Sequence, residues 1–239
     1  MGGKKKAQQR GASSASTTTQ PTSTSNSFAA LLNAAEQMEE VSSSRSAASE
    51  GGKLKEPLVW IDLEMTGLDL DRHTIIEVAV IVTDGQLATK IEGPSIAIHQ
   101  PEDVLERMND WCVEHHGRSG LTKRVQESDV SMEQAEASVL EFVRAHVADP
   151  GSAQLAGNSV HVDRQFLLKY MPQLTAFLSY RIVDVSTIKE LAKRWYPAAN
   201  RRAPRKANAH TALSDIRESI TELEYFRRTI FANAGGKAP

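Results

Sequence analysis

Cysteine is almost absent from this sequence. Cys112 is the only one, which excludes an intramolecular disulfide and a thiolate cage for a metal and points to a reducing compartment. No apolar run approaches the roughly 20 residues that span a bilayer, and the N-terminus lacks the apolar segment of a secretory signal. The expectation is an intracellular protein with no membrane segment. An excess of positive charge is missing as well. Lys plus Arg number 28 against 30 Asp plus Glu, so no global basic field gathers long nucleic acid through counterion release. A nucleic-acid partner would have to be small and held by local contacts.

What remains is enough for one domain with a tail: 239 residues, of which 40% are hydrophobic. Residues 1–53 are rich in Ser, Thr, Ala, Gln and Gly, a composition that cannot bury enough apolar surface to offset the entropy of ordering, and they are expected to be a disordered tail. Residues 54–232 are expected to form the domain, and 233–239 a flexible C-terminus. Within the tail, Phe28, Leu31 and Leu32 could line a short amphipathic helix or only a transient one. The tail carries Lys4, Lys5, Lys6 and Arg10 and no acid before Glu36, which overlaps with transit-peptide composition. It is nevertheless poor in Arg and has no clear amphipathic period, so cytoplasm and mitochondrion both stay open. Lys6 stands where a myristoylation signal needs Ser or Thr.

Order is expected to begin near Leu58. LVWIDLEM alternates, with Val59, Ile61 and Leu63 on one face and Trp60, Asp62 and Glu64 on the other. TIIEVAVIVTDG reads as a second strand ending in Asp84-Gly85, a two-residue hairpin signal that leads to a third strand near LATKIEG. After Pro101 the period becomes helical. Ser131 and Gln134 read as a capping box for a helix with Ala135, Val139, Phe142 and Val143 on its apolar side. LAGNS reads as a short buried strand before a helix from Asp163 to Tyr170, and YRIVDVS as a strand before a helix reaching Trp195. Pro197 to Ala209, with Arg201, Arg202, Arg205 and Lys206, reads as a loop, either a basic flap near a site or merely solvated. A last helix is expected from about Ala212 to Arg228, with Leu213, Ile216, Ile220, Leu223 and Phe226 as its core stripe. Strands first and helix–strand alternation afterwards indicate an α/β fold, a mixed sheet flanked by helices.

Asp62 and Glu64, two apart on a strand, point the same way and can hold one metal ion between them, or can simply form the solvated face of an edge strand. Asp163 at the head of its helix could be a metal ligand or an ordinary helix-terminal acid. His210 and Asp215 are five residues apart, a rotation of about 140° on an ideal helix, so His210 would have to sit in the cap or the preceding loop for both to reach one centre.

Together, WIDLEMTGL, AGNSVHVDRQFL and HTALSDIRESI resemble the three exonuclease motifs of the oligoribonucleases, within the larger group of exonucleases named for four acids and a histidine. MNDWCVEHHGRSGLTK and YRIVDVSTIKELAKRW are similar to segments specific to that family, and its eukaryotic branch is the nearest in pattern. Thr211 and Ser214 depart from the usual pattern around the histidine. The resemblance covers about Leu58 to Ile230 and implies a ribonuclease-H-like exonuclease fold. It also implies two divalent cations, Mg²⁺ or Mn²⁺, held by Asp62, Glu64, Asp163 and Asp215, with His210 as the base. The expected activity is 3′→5′ hydrolysis of short RNA, preferentially dinucleotides, to nucleoside 5′-monophosphates. Further implied are a homodimer, donors to a terminal 5′-phosphate at Ser159, Arg181, Ser186 and Thr187, and Tyr180 reaching across from the partner chain. The residue types suit that role, since Ser186 and Thr187 are expected to open a helix whose free amides and dipole favour an anion and Arg181 offers a bidentate fork. Leu68 would wedge against the bases, Trp111 pack on one, and His116 support the site. Trimming of longer DNA or RNA, and binding without cleavage, are the competing readings. Core packing of Trp111 and Tyr180 is the plain alternative to their contact with a base or a partner.

Overall fold

The computed structural model describes residues 52–204 and 211–232. Strands β1 (Leu58–Met65), β2 (Ile75–Thr83) and β3 (Lys90–Ala97) form an antiparallel meander, and β4 (Gln154–Gly157) and β5 (Ile182–Asp184) add in parallel on the other side of β1, giving the order β3-β2-β1-β4-β5. The expected mixed sheet is therefore present, with β1 at its centre. β1 is paired on both sides only from Leu58 to Trp60, so Asp62 and Glu64 lie where it is paired with β2 alone, but both are half-buried there and do not form a freely solvated face.

The helices are α1 (Glu102–Leu105), α2 (Asp110–Arg118), α3 (Leu121–Glu127), α4 (Met132–His146), α5 (His161–Tyr170), α6 (Pro172–Phe177), α7 (Val185–Trp195), α8 (Pro197–Arg202) and α9 (Ala212–Phe226), the last continuing as a π-helical segment, Arg227–Phe231. The period-two pattern of β1 sorts its side chains. Val59, Ile61 and Leu63 pack with Val139 and Val143 of α4 and Phe166 and Leu167 of α5, whereas Trp60 packs with Ala212, Ile216 and Ile220 of α9. Covering both faces explains why β2 is buried along its whole length. A third cluster, Ile76 with Leu105, Met108, Cys112, Leu121 and Val125, seats α1 to α3 beside β2. Among the described residues no helix is long and apolar enough to cross a membrane.

Three expectations need correction. Asp84-Gly85 marks the turn but not a two-residue hairpin, because the Asp84 carboxylate accepts from the amides of Gln86, Ala88 and Thr89 and organises a longer loop before β3. The α5 helix begins at His161, ahead of Asp163. The stretch after Tyr196 is not all loop: Pro197 opens α8, its fixed φ suiting a first helical position, and Tyr225 Oη donates to Ala199 O at 2.7 Å. Arg201 and Arg202 end that helix, while Arg205 and Lys206 of the proposed flap lie outside the described residues, as do the 1–51 portion of the tail and the 233–239 terminus. The Ser131–Gln134 capping box and the α9 stripe are as expected.

The α4 helix lies close against β3 at Gly93, where a Cβ would overlap the Phe142 ring. Gly93→Ala should therefore destabilise the fold by about 1–3 kcal/mol through overpacking, read as a fall in Tm. An unchanged Tm would mean that the Phe142 ring yields without cost.

Candidate active site

Strand β1 outlasts its parallel neighbour. Pairing with β4 stops at Trp60–Ala156, so the stretch from Ile61 to Met65 has no strand on that side. One amide exposed by this gap is satisfied from α5: Leu63 N–H donates to Asp163 Oδ1 at 3.1 Å. Asp163 is thus buried against β1 and is not a helix cap. Burial pushes its carboxyl up to about 7, against the lowering effect of the Leu63 amide.

Asp62, Glu64 and Asp215 converge, each offering a carboxylate oxygen within 4.8 Å of the others. Asp62 and Glu64 extend from the β1 face that packs on α9, and Asp215 comes from the first turn of α9. Thr211 and Ser214, the two departures from the family pattern, form the capping box that begins α9, so they serve the placement of Asp215. Asp163 is not part of the 4.8 Å set, although its charge acts on Glu64. His210 lies outside the described residues.

Glu64 is the most perturbed of these groups. Burial first, then the charges of Glu77, Asp215 and Asp163, push its carboxyl up to about 8. Three acids brought this close repel one another and are poorly solvated, which a divalent cation would relieve with the hard oxygen ligands it prefers. The donor set fits such an ion.

His116 is buried beside this cluster. Its Nε2 lies 3.0 Å from Met65 O, which can only accept, so Nε2 carries the proton, and Nδ1 faces Glu64 Oε2 at 3.9 Å. Burial lowers its pKa, and the Met65 bond acts the other way. His115 meets His116 edge-on at 6.1 Å and stacks on Trp111 at 4.4 Å, so the rings form a path outward from Glu64. Trp111 is 64% exposed and Tyr180 45% exposed, which removes core packing as the reason for either.

Leu68 is exposed on the loop after β1. Two bonds from α5 fasten that loop: Lys169 Nζ donates to Leu70 O and Tyr170 Oη to His73 O. The remaining predicted residues gather where β4 and β5 end. Ser159, with φ of +53°, donates its amide to Asp184 Oδ1 and Ser186 Oγ, and the Ser159 and Ser186 hydroxyls lie 3.2 Å apart. The Ser186 amide is not free for an anion as the helix-terminus argument expected, because the Asp184 carboxylate caps α7 by accepting it at 2.9 Å. Thr187 is exposed on the first turn of α7, and the Arg181 guanidinium lies 5.2 Å over the Tyr180 ring.

Two neighbours escaped the sequence reading. Glu77 is buried opposite Glu64 in the β1–β2 register and paired with Arg124 at 2.7 Å. Its signal was a lone acid inside an otherwise apolar strand. Asn158, between β4 and Ser159, bonds to both Ser186 and Ser219.

Comparison with known proteins agrees with this arrangement. A family model described as exonuclease (RNase_T) matches residues 59–223. The chain is 53% identical over 186 residues to the human protein named "Oligoribonuclease, mitochondrial", covering 78% of each. It is 52% identical over 182 residues to the oligoribonuclease of Arabidopsis thaliana, 76% of this chain and 82% of that one. With the oligoribonuclease of Marinobacter nauticus the identity is 54% over 174 residues, 73% and 96% of the two chains. Among solved structures, exonuclease I of Methylocaldum szegediense matches with a TM-score of 0.55 at 18% identity, over 74% of this chain and 43% of that one. A zinc-bound E. coli exonuclease I in complex with single-stranded DNA gives 0.56 at 12% identity, over 74% and 41%. The chain spans under half the length of these exonucleases, and the likeness establishes the ribonuclease-H-like exonuclease fold.

The raised Glu64 carboxyl sets a pH dependence. A group whose folded-state pKa is above its unfolded value contributes stability below the unfolded value, near 4.5, and loses it as pH rises through the folded value, about 8. The metal-free protein should therefore lose Tm between about pH 5 and 8. Glu64→Gln, which cannot ionise, should flatten that slope and raise Tm at pH 8 by roughly several degrees, as read by calorimetry in chelator. Parallel slopes for the two proteins would refute the crowding.

Proposed function

Because the chain belongs to the oligoribonuclease family of exonucleases, we propose that it is a 3′→5′ exoribonuclease that cleaves short RNA, dinucleotides first, to nucleoside 5′-monophosphates. The observation that carries this reading is the convergence of Asp62, Glu64 and Asp215 beside Asp163 on a central strand end, with Glu64 pushed up to about 8.

Asp62, Glu64, Asp163 and Asp215 would hold two divalent cations, Mg²⁺ or Mn²⁺. Such ions, when bound, polarise the scissile phosphate and neutralise the charge that develops on it. The chain's own residues do the rest. His210 takes a proton from the attacking water. Leu68, displayed on a loop fastened to α5, wedges against the bases, and Trp111, already stacked on His115, offers its open face to one of them. His116 fixes the end of β1 by donating to Met65 O, which steadies Glu64 next to it.

Length selection is assigned to the cradle at Ser159 and Ser186. Their hydroxyls, with Thr187 and the planar fork of Arg181, would bind a terminal 5′-phosphate, and the capped phosphate leaves no room for another nucleotide. Because the Ser186 amide is already committed to Asp184, the affinity comes from hydroxyls and guanidinium. Two copies would form the working unit, with exposed Tyr180 of one reaching the site of the other. Mitochondrion and cytoplasm are both proposed as locations. The word mitochondrial in the names of the human and bovine relatives and the acid-free start of the tail support the first.

The purified chain should release mononucleotides from a dinucleotide with Mg²⁺ or Mn²⁺ and none with chelator, and should turn over a dinucleotide far faster than a twenty-mer. Arg181→Ala should weaken 5′-phosphorylated dinucleotides at least tenfold more than unphosphorylated ones, on the order expected for a lost charged hydrogen bond. Equal losses on both substrates would remove the cap, and full activity from a monomer would remove the role of Tyr180 across the dimer.

His210→Ala should lower turnover by roughly 10²–10⁴ with metal affinity retained in calorimetry. Loss of metal affinity in step with activity would make His210 a ligand or a support, not the base.

A further inference from the structure

We propose that Asn158 is a positioning residue that couples occupancy of the Ser159–Ser186 cradle to the placement of Asp215. The inference rests on the reading of that cradle as the 5′-phosphate site, and its argument is a proton count. Ser186 Oγ has one proton, which it donates to Asn158 Oδ1 at 3.2 Å, while the same oxygen accepts from the Ser159 amide at 3.0 Å. On its other side Asn158 Nδ2 donates to Ser219 Oγ at 2.7 Å, and Ser219 Oγ spends its own proton on Asp215 O at 2.8 Å. The Ser159 amide shares its proton between Ser186 Oγ and Asp184 Oδ1, but from Ser186 Oγ onward the donors run in one direction, through Asn158 and Ser219 to the backbone of Asp215.

The orientation of the Asn158 amide is set by charge. The Glu222 carboxylate lies on the Nδ2 side, 3.5 Å away, and a flipped amide would set its oxygen against that carboxylate. Glu222 is in turn held by Lys189 at 2.9 Å, and both Ser219 and Glu222 are buried. The relay is therefore packed, with no slack in exposed side chains at its metal end.

A phosphate oxygen in the cradle competes for the Ser186 proton. When the anion takes it, Asn158 Oδ1 loses its donor and the polarisation that strengthens Nδ2 as a donor to Ser219. The carbonyl of Asp215 then feels whether the cradle is filled, although no atom of the phosphate need touch α9. Ser219 also bonds back to the carbonyl four residues earlier, a contact that locally bends a helix, here in the turn that carries Asp215.

The test is calorimetric titration of Mn²⁺ into the full chain saturated with a non-cleavable dinucleotide, with and without a 5′-phosphate. Mn²⁺ affinity should differ by about fivefold or more between the two dinucleotides, within the usual range of coupling between sites. In Ser219→Ala the ratio should fall to about one, with the thermal melt close to that of the unaltered protein. Asn158→Asp, which keeps the size but turns a donor into an acceptor, should do the same. A ratio near one in the unaltered protein, or a ratio preserved in both variants, overturns the proposal. The cap is read separately. If Arg181→Ala leaves the preference for the 5′-phosphate in dinucleotide binding untouched while the Mn²⁺ ratio collapses in Ser219→Ala, the assignment of Arg181 fails and the relay stands.

Discussion

The site depends on one mismatch of strand lengths. Pairing of β1 with β4 ends at Trp60, five residues before β1 itself ends at Met65. Past that point the strand offers backbone donors on one side with no ladder to receive them, and an unpaired buried amide is costly. Asp163 meets one of these donors from α5, and in doing so an acid is buried beside Asp62 and Glu64. The same gap opens the sheet at the carboxyl ends of the parallel strands, where open α/β sheets bind their ligands. Closure of the backbone accounting and crowding of acids are thus one event.

Much of this was legible from the letters, for reasons that differ by element. β1 announced itself because a two-residue period survives when its two faces meet two different apolar partners, and Val59, Ile61 and Leu63 do face a different cluster from Trp60. The α4 start was legible because Ser131 and Gln134 satisfy each other's amides locally. The turn after β2 was not, since Asp84 recruits amides up to five residues ahead, and a dipeptide signal says nothing about that reach. Helix α8 escaped because its short, exposed sequence has no buried residue to create a period, and its anchor, Tyr225, is distant in the chain.

In the site, Asp62, Glu64 and Asp215 were legible as residue types at strand and helix spacings, and their motifs resembled a family. The state of Asp163 was not, because its partner is the Leu63 amide 100 residues away. Ser186 shows the opposite failure: a helix start read locally as an anion site turns out to have its amide taken by the residue two before it, Asp184. Glu77 and Asn158 needed the register and the loop crossing that only the folded chain supplies.

The loop carrying Leu68 springs from β1 and is bound at Leu70 and His73 by the C-terminal end of α5, while the N-terminal end of the same helix is bound to β1 through Asp163. Strand, loop and helix therefore form a closed triangle, and a triangle cannot shear without changing the length of a side. Ten residues of helix make a side of about 15 Å that neither stretches nor bends cheaply. The Leu68 loop is then a fixed jaw of a caliper, and the span it measures can be altered only by adding or removing helical turns of about 5.4 Å, a step too coarse for gradual change.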